Sequence, residues 1–378
     1  MEQQPAPRPE SARTRVALVF GGRSSEHAIS CATAASVLRA IDRERYDVVP
    51  IGITKGGRWV QVADDPAQLE ITAGRLPEVP DSDSTVVLPL GNSSNTVTVS
   101  EPGQIPRALG EVDVVFPLLH GPFGEDGTIQ GLLELADIRY VGCGVLASAA
   151  MMDKHIMKVL FADAALPVGP YTVITDLQWR RDRAAALDAA NALTFPVFVK
   201  PARAGSSVGI TKVAEPAHLE AAIEAAREHD PKVIVEAGIV GRELEVGVLG
   251  GHGAEPPRVS EVGEIVVGGG HAFYDFEAKY LDEAHVEISS PAEVSAEVAA
   301  QIQRIAATAF EAAGCEGLSR VDCFLTEEGD VLVNEINTMP GFTPFSMYPQ
   351  VWAASGISYP ELIDELITLA LERRTGLR

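Results

Sequence analysis

Several features are scarce in this sequence of 378 residues, and each scarcity excludes a class of protein. Basic residues are few, since 30 Lys and Arg stand against 53 Asp and Glu and give a net charge of −23. Without an excess of cations to neutralise phosphates, a sequence-independent nucleic-acid partner or an anionic membrane surface is excluded. No uninterrupted apolar run reaches the length that crosses a bilayer, so we expect no membrane partner.

Cysteine is also rare, and the spacing of the four cysteines matches no metal-binding or redox motif. Cys31, Cys143, Cys315 and Cys323 form no CxxC pair and have no histidines at metal-ligand spacing, which predicts reduced, mostly buried thiols. Residues 1–14 are polar and Pro-rich and lack an apolar core, so they indicate a disordered tail rather than a signal peptide. We therefore expect the protein to be cytoplasmic.

The chain has enough apolar residues, 46%, and enough length for two or three globular domains. Residues 15–20 have the pattern of a buried strand, residues 27–41 have helical spacing, and residues 46–53 form a second strand pattern. This β-α-β order predicts a parallel sheet. A further buried strand at 112–119 leads into a Gly-rich loop at 120–127, and ligands of such sheets gather at the carboxyl ends of the strands.

The middle of the chain has a different pattern. Residues 61–110 are rich in Pro, Ser, Asp and Asn and predict irregular or short-strand structure, whereas residues 147–165 predict one helix ended by Pro167. A small α+β domain with an antiparallel sheet is expected next. Its strands are predicted at 195–201, 208–213, 232–236 and 243–249, with a helix at 218–229.

Towards the C-terminus, residues 263–282 contain three successive glycines and predict a flexible lid. An Ala-rich amphipathic helix is predicted at 291–313, and a terminal helix at 359–371. No repeat of fixed period is visible, so a solenoid is excluded.

Two β-rich runs near the C-terminus flank residues 327–330 (EEGD) and predict a hairpin with a four-residue turn. Centring the ladder on that turn places Asp322 opposite Glu335 and Arg320 opposite Asn337, with all four side chains on one face. Facing carboxylates destabilise a sheet unless the register slips or a cation lies between them. Two carboxylates and an amide oxygen suit Mg²⁺, although an ordinary solvated acidic hairpin has the same spacing.

Residues 205–209 (GSSVG) match the G-x-S-x-G motif of serine hydrolases, with Ser207 in the nucleophile position. That motif needs a following helix, but β-rich residues follow here, so a hairpin tip that offers N–H groups and hydroxyls to phosphate is the better interpretation. Lys200 ends the strand beside this loop and is a candidate phosphate cation or an exposed strand-end lysine. Neither a Walker nor a Rossmann motif is present in the required context.

Five motifs occur together and in order. They are residues 21–30 (GGRSSEHAIS), 120–127 (HGPFGEDG), 152–154 (MDK), 274–280 (YDFEAKY) and 334–343 (NEINTMPGFT). The combination closely resembles the D-alanine:D-alanine ligases of the ATP-grasp superfamily, from about Arg15 to the C-terminus.

The resemblance implies a multidomain fold of α/β and α+β parts, an ATP-grasp fold with an N-terminal parallel-sheet domain. Its expected division is a disordered tail at 1–14, an α/β substrate domain at 15–146, a central ATP-grasp subdomain at 147–245, and a C-terminal ATP-grasp domain at 246–378 with the metal site and the lid. It also implies a homodimer and a role in making D-alanyl-D-alanine for peptidoglycan, the cell-wall polymer that sets cell shape.

The resemblance also implies a role for each matching residue. The ligands of two Mg²⁺ ions, with Mn²⁺ as an alternative, would be Asp322, Glu335 and Asn337. ATP would be bound by Lys154, Lys200, Glu236, Ile239, Glu243 and Lys279. Substrate contacts or catalytic roles fall to Glu26, His120, Ser206, Tyr280, Arg320, Gly341, Ser346 and Met347.

Three alternatives to a D-alanine:D-alanine ligase stay open. Relatives that make D-alanyl-D-lactate tend to lack the tyrosine at position 280, so Tyr280 favours an amine nucleophile. A serine hydrolase acting through Ser207 would be labelled by a fluorophosphonate probe. A non-catalytic nucleotide-binding module would bind ATP without turnover.

Overall fold

The fold is that of a computed structural model, which describes residues 13–72, 75–89, 96–267 and 286–375. The helices of these ranges are α1 (His27–Ala40), α2 (Thr128–Leu135), α3 (Val145–Met152), α4 (Lys154–Asp163), α5 (Asp176–Arg181), α6 (Arg183–Asn191), α7 (Leu219–Arg227), α8 (Ala296–Ala312), α9 (Met347–Ala354) and α10 (Tyr359–Glu372). The strands are β1 (Thr14–Gly21), β2 (Tyr46–Ile53), β3 (Trp59–Gln61), β4 (Thr85–Val87), β5 (Thr96–Ser100), β6 (Arg107–Glu111), β7 (Val114–Pro117), β8 (Arg139–Tyr140), β9 (Tyr171–Ile174), β10 (Val197–Pro201), β11 (Thr211–Val213), β12 (Val233–Ala237), β13 (Gly241–Leu249), β14 (Arg258–Val267), β15 (Val286–Ser289), β16 (Leu318–Thr326) and β17 (Val331–Asn337).

The predicted parallel sheet is present, with the strand order β3-β2-β1-β7-β8. β1 pairs in parallel with both β2 and β7, and β3 is antiparallel to β2 at the edge. Val, Leu and Phe fill β1 because both faces of this sheet are covered. The carboxyl ends of β1 and β7 are neighbours, so the loops that carry Glu26 and His120 lie side by side.

A second small sheet, β4-β5-β6, is antiparallel and forms within the segment predicted to be irregular or short-stranded. Val86, Val97 and Val99 are buried in the same hydrophobic cluster as Ala17 and Val19 of β1. This sheet therefore covers one face of the parallel sheet.

The predicted antiparallel sheet in the middle of the chain is also present, in the order β11-β10-β12-β9. Leu219 and Ile223 of α7 are buried against Val197, Val199 and Val235 of this sheet. The strands β10 and β11 are joined by residues 202–210, so the Gly- and Ser-rich loop is the tip of a hairpin.

The single helix predicted at 147–165 is wrong, because the structure has two helices there. Asp153 has an extended backbone, and its carboxylate accepts hydrogen bonds from the N–H groups of His155 and Ile156 at 3.1 and 3.2 Å. It is the N-cap of α4, and such a cap lets an apolar helical pattern continue across a change in direction. The break places Lys154 in the first turn of α4.

The third large sheet has the order β15-β14-β13-β16-β17, with α8 packed on it through Ile302, Ala306 and Phe310. The predicted lid begins inside β14, so residues 263–267 are strand rather than flexible loop, because β-branched Ile265, Val266 and Val267 favour the extended ladder. The lid from position 268 onwards lies outside the described residues.

The parallel sheet and the C-terminal helices share one hydrophobic core. Leu18 and Phe20 of β1 belong to the same buried cluster as Phe342, Leu362 and Leu366. This packing holds the loops after β1 and β7 against the segment that follows β17. The four cysteines are free and buried, as predicted. Within the part of the chain that the structure describes, no helix combines the length and apolarity needed to cross a membrane.

A histidine near the C-terminal helix gives a prediction for stability. His252 lies 3.0 Å from Glu372 and 2.8 Å from Glu365, and the hydrogen bond to Glu372, together with the one to Glu365, raises its pKa. Because the pKa of His252 is higher in the folded state, its protonation stabilises the protein. This contribution is fully present below the ordinary histidine pKa of about 6.5 and is lost as pH rises through the pKa of the folded state. We expect His252→Gln to lower the thermal midpoint at pH 6 but much less at pH 9, as measured by calorimetry. An equal loss at both pH values would contradict this.

Candidate active site

The predicted pairing of the acidic hairpin is confirmed where the functional residues lie. Asp322 is opposite Glu335 and Arg320 is opposite Asn337. The predicted four-residue turn is wrong. The backbone N–H of Thr326 donates to Asp330 O at 2.9 Å, which leaves a three-residue loop at 327–329, with Gly329 at φ 91°. A bulge at Asn334 then shifts the register by one residue and restores the predicted pairs.

Protein cations lie beside the facing carboxylates of this hairpin. Arg320 donates from Nε and Nη2 to the two oxygens of Asp322, both at 2.7 Å, and its Nε lies 2.9 Å from Glu245. Lys154 Nζ lies 3.4 Å from Glu335. Burial would lower the pKa of Arg320, but Asp322 and Glu245 raise it well above its ordinary value. The register therefore tolerates two facing acids because each has a cationic neighbour.

The same hairpin has the donor set expected for a divalent cation. Asp322 and Glu335 supply carboxylate oxygens, while Asn337 Nδ2 donates to Asp322 at 3.1 Å and so leaves the amide oxygen as the atom for a cation. Such hard oxygen donors fit Mg²⁺. Among the described residues, no group of three or more His, Cys, Asp or Glu side chains has the arrangement of a metal site, so the amide is needed to complete a three-residue set.

One cavity of about 410 Å³ opens beside this hairpin and brings most of the predicted site residues together. Those that line it are Glu26, His120, Lys154, Lys200, Ser206, Glu236, Ile239, Glu243, Arg320, Asp322, Glu335, Asn337 and Gly341. The predicted residues Lys279 and Tyr280 lie outside the described residues.

Two lysines flank one buried carboxylate in this cavity. Lys158 Nζ lies 2.7 Å from Glu236 Oε1, and Lys200 forms an ion pair with Glu236 Oε2. Burial would raise the pKa of Glu236, but the charges of Lys200 and Lys158 hold it well below its usual range. Sequence reasoning missed Lys158, although its position four residues after Lys154 places both lysines on one face of α4.

The start of α4 is tied to the hairpin tip at 202–210. Lys154 donates from its backbone N–H to Ala202 O at 2.9 Å and from Nζ to Ala204 O at 3.0 Å. Lys232 Nζ donates to both oxygens of Asp153, at 2.8 and 2.9 Å. These contacts fix Lys154 between the hairpin tip and Glu335.

The tip itself has an unusual backbone. Ser206 and Ser207 both have positive φ, 46° and 59°, a backbone conformation that residues other than glycine rarely adopt. Ser206 Oγ donates to Glu26, and Arg203 is bound to Asp230 through its backbone N–H and guanidinium at 2.6 to 3.0 Å. Residues 202–210 join two strands, so the strand-turn-helix context that a hydrolase elbow requires at Ser207 is absent from this described segment.

Glu26 and His120 come from the neighbouring loops after β1 and β7. Both are buried, with 7% and 5% of their surface exposed. His120 Nδ1 lies 3.2 Å from Met339 O and 3.6 Å from Glu125, a cavity residue that sequence reasoning did not single out although it lies in the same Gly-rich loop. Burial would lower the pKa of His120, but the Glu125 carboxylate raises it. His120 Nε2 has no hydrogen-bond partner in the described part of the chain.

The last two predicted residues, Ser346 and Met347, lie at the start of α9. Ser346 is the N-cap position, and its Oγ lies 2.9 Å from Thr343 Oγ1. Met347 has 4% of its surface exposed, and its side chain packs in the core. Neither residue is among the described residues that line the cavity.

Known proteins resemble the chain over nearly its whole length. Residues 15–143 match the family described as D-ala D-ala ligase N-terminus, and residues 160–368 match D-ala D-ala ligase C-terminus. The D-alanine–D-alanine ligase of Pseudarthrobacter chlorophenolicus is 60% identical over 99% of this chain and 98% of its own. That of Streptomyces coelicolor is 57% identical over 96% of this chain and 95% of its own.

Solved structures are similar too. The VanG D-Ala:D-Ser ligase of Enterococcus faecalis has a TM-score of 0.81 at 37% identity and covers 95% of this chain and 100% of its own. The D-alanine-D-alanine ligase of Coxiella burnetii has a TM-score of 0.78 at 32% identity, over 96% and 94%. The predicted mixed α/β fold of the ATP-grasp type and the resemblance drawn from the five motifs are confirmed. The chain belongs to the D-alanine–D-alanine ligase family.

Proposed function

We propose that this chain joins two D-alanine molecules at the expense of ATP and supplies D-alanyl-D-alanine for peptidoglycan synthesis. Family membership supports this activity. One cavity also brings together the acidic hairpin, Glu26 and His120, and the cations Lys154, Lys200 and Arg320. The carboxylate of the first D-alanine would attack the γ-phosphate to give D-alanyl phosphate. The amine of the second would then displace phosphate.

ATP would lie with its phosphates against Lys154 and Lys200, joined by Lys279 from the lid. Lys154 is held beside both the acidic hairpin and the tip at 202–210, where backbone N–H groups suit an anion. The base would be placed by Glu236 and Ile239, and the ribose hydroxyls by Glu243.

The family implies a divalent metal, and we assign two Mg²⁺ ions, with Mn²⁺ as a substitute, to Asp322, Glu335 and Asn337. When bound, the ions would neutralise charge on the phosphate oxygens. Arg320 lies against Asp322, and this contact would hold its guanidinium in place before substrate binds.

The amino acids would occupy the other end of the cavity. Glu26 would pair with the ammonium of the first D-alanine, and His120 would help to hold that molecule. Arg320 and the Gly341 N–H would stabilise the oxyanion of the tetrahedral intermediate. Ser346 and Met347 would bind the carboxylate of the second D-alanine, with the N-terminus of α9 favouring that charge.

Ser206 would join Glu26 to the lid through Tyr280, and the closed lid would keep water from the acyl phosphate. The contact of Ser206 with Glu26 supports the first half of this link.

We also propose the division into a tail at 1–14, domains at 15–146, 147–245 and 246–378, a cytoplasmic location and a homodimer. Three large sheets, β3-β2-β1-β7-β8, β11-β10-β12-β9 and β15-β14-β13-β16-β17, support three domains. The proposed boundary at 245/246 falls inside β13, which pairs with β14 and β16, so the central segment contributes residues from Gly241 onward to that sheet.

An assay of phosphate release tests the activity. With ATP and Mg²⁺, we expect release that requires D-alanine, does not occur with L-alanine, and yields D-alanyl-D-alanine by mass. D-lactate and D-serine are added in turn with D-alanine, because D-lactate is the closest alternative substrate and a structural neighbour is named a D-Ala:D-Ser ligase. A depsipeptide as main product would show that D-lactate is the preferred second substrate, and D-alanyl-D-serine would show that D-serine is. ATP binding without phosphate release would indicate a non-catalytic nucleotide-binding module.

A further inference from the structure

Lys158 is a buried cation to which the mechanism above gives no role. Only 3% of its surface is exposed. Its Nζ lies 2.7 Å from Glu236 Oε1 and donates to Asn334 O at 3.4 Å, and it stands 5.8 Å from the centre of the Tyr171 ring. A buried ammonium with these partners is costly to place and is retained only where its contacts compensate.

The two lysines on Glu236 are not equivalent. Lys200 is also influenced by the charges of Glu243 and of Glu335, a carboxylate of the acidic hairpin. Lys158 is held from several sides by a carboxylate, a carbonyl and an aromatic face. An incoming triphosphate would therefore draw Lys200 toward itself and leave Lys158 as the partner of Glu236.

The surroundings of Glu236 fit a flat aromatic ring. Glu236 lines a cavity that also has apolar side chains in its wall, and Phe198 is the cross-strand partner of Glu236. The apolar residues are Phe198, Ile239, Leu244, Phe324 and Val333. An ionised carboxylate only accepts hydrogen bonds, so it pairs with an exocyclic amino group and repels a carbonyl oxygen.

We propose that Lys158 is a positioning residue that keeps Glu236 ionised and oriented, so that the site selects a 6-aminopurine over a 6-oxopurine. This inference rests on the ATP site proposed above. Lys158 acts through Glu236 and does not itself contact the phosphates. The low pKa of Glu236, which the two lysines hold down against burial, supports the geometry.

Calorimetric binding of ATP and of inosine triphosphate, without D-alanine, tests the proposal. For Lys158→Met, we expect the dissociation constant for ATP to rise roughly tenfold to a hundredfold, the usual effect of losing a hydrogen bond between charged groups. Binding of inosine triphosphate should change much less, so the preference for ATP collapses. Lys158→Arg should retain most of the preference for ATP over inosine triphosphate, because a guanidinium can still bind the Glu236 carboxylate. Lys158→Gln is made in parallel, since its amide can donate to Asn334 O without a charge and should preserve the fold.

Two results would overturn the proposal. Equal losses for ATP and inosine triphosphate would make Lys158 a general attraction for phosphate, and unchanged binding in Lys158→Gln or Lys158→Met would give it no role in the base site. Because binding is measured without turnover, a protein that selects ATP but makes no dipeptide would refute the ligase while leaving Lys158 in its role.

Discussion

Arg320→Met is expected to reduce the rate of dipeptide formation by a factor of about 10² to 10³, the usual cost of removing one oxyanion donor. It should also lower stability, because Asp322 and Glu245 would keep their buried positions without the guanidinium that now joins them. Breaking a buried pair in this way costs about 3–5 kcal/mol. Steady-state kinetics with D-alanine and urea unfolding measure the two effects.

Arg320→Lys is the matched control. It keeps the charge but loses the two-point contact with Asp322, so we expect stability to recover more than the rate. A full rate in Arg320→Lys would contradict an oxyanion role that depends on the guanidinium fork. A full rate in Arg320→Met would remove Arg320 from catalysis.

Glu335→Gln is expected to lower turnover at least about 100-fold and to raise the Mg²⁺ concentration needed for half-maximal rate. An amide removes a negative charge from the metal donors but changes the volume little. Lys154 Nζ lies 3.4 Å from Glu335, which is long for an ion pair, so the fold should persist without that contact. The measurement is the rate as a function of Mg²⁺ at saturating ATP and D-alanine.

Glu327→Gln controls for the loss of an acid from the same hairpin, because Glu327 is exposed in its loop. It should leave both the rate and the Mg²⁺ dependence unchanged. If Glu335→Gln behaves like Glu327→Gln, the hairpin is an ordinary acidic one and the metal assignment fails.

Local alternation predicted the core of this site well. Asp322 and Glu335 are opposite each other, as centring the ladder on the turn predicts, and alternation along the strand places Arg320 on the same face as Asp322. The pairing nevertheless arises from a shorter loop than predicted together with a bulge at Asn334, two deviations that cancel. A bulge depends on packing of the whole sheet, and the pattern of apolar residues does not encode it.

Long-range contacts were harder to predict. The pairing of Lys158 with Glu236 joins residues 78 positions apart, and that of Ser206 with Glu26 joins residues 180 positions apart. The sequence pattern predicts a helix through Asp153, which in the structure ends one helix and caps the next, because helical periodicity on both sides hides the change in direction. The resemblance supplied the roles of most site residues, which spacing alone left open.

The central claim is that a D-alanine carboxylate oxygen attacks ATP and leaves with the phosphate. D-Alanine labelled with ¹⁸O in its carboxylate tests this, with mass analysis of the phosphate released during dipeptide synthesis. One ¹⁸O atom in each phosphate, and one fewer in the dipeptide than in the two amino acids, is the result we predict. Phosphate without label would mean that water, not the D-alanine carboxylate, receives the phosphoryl group, and would contradict the mechanism.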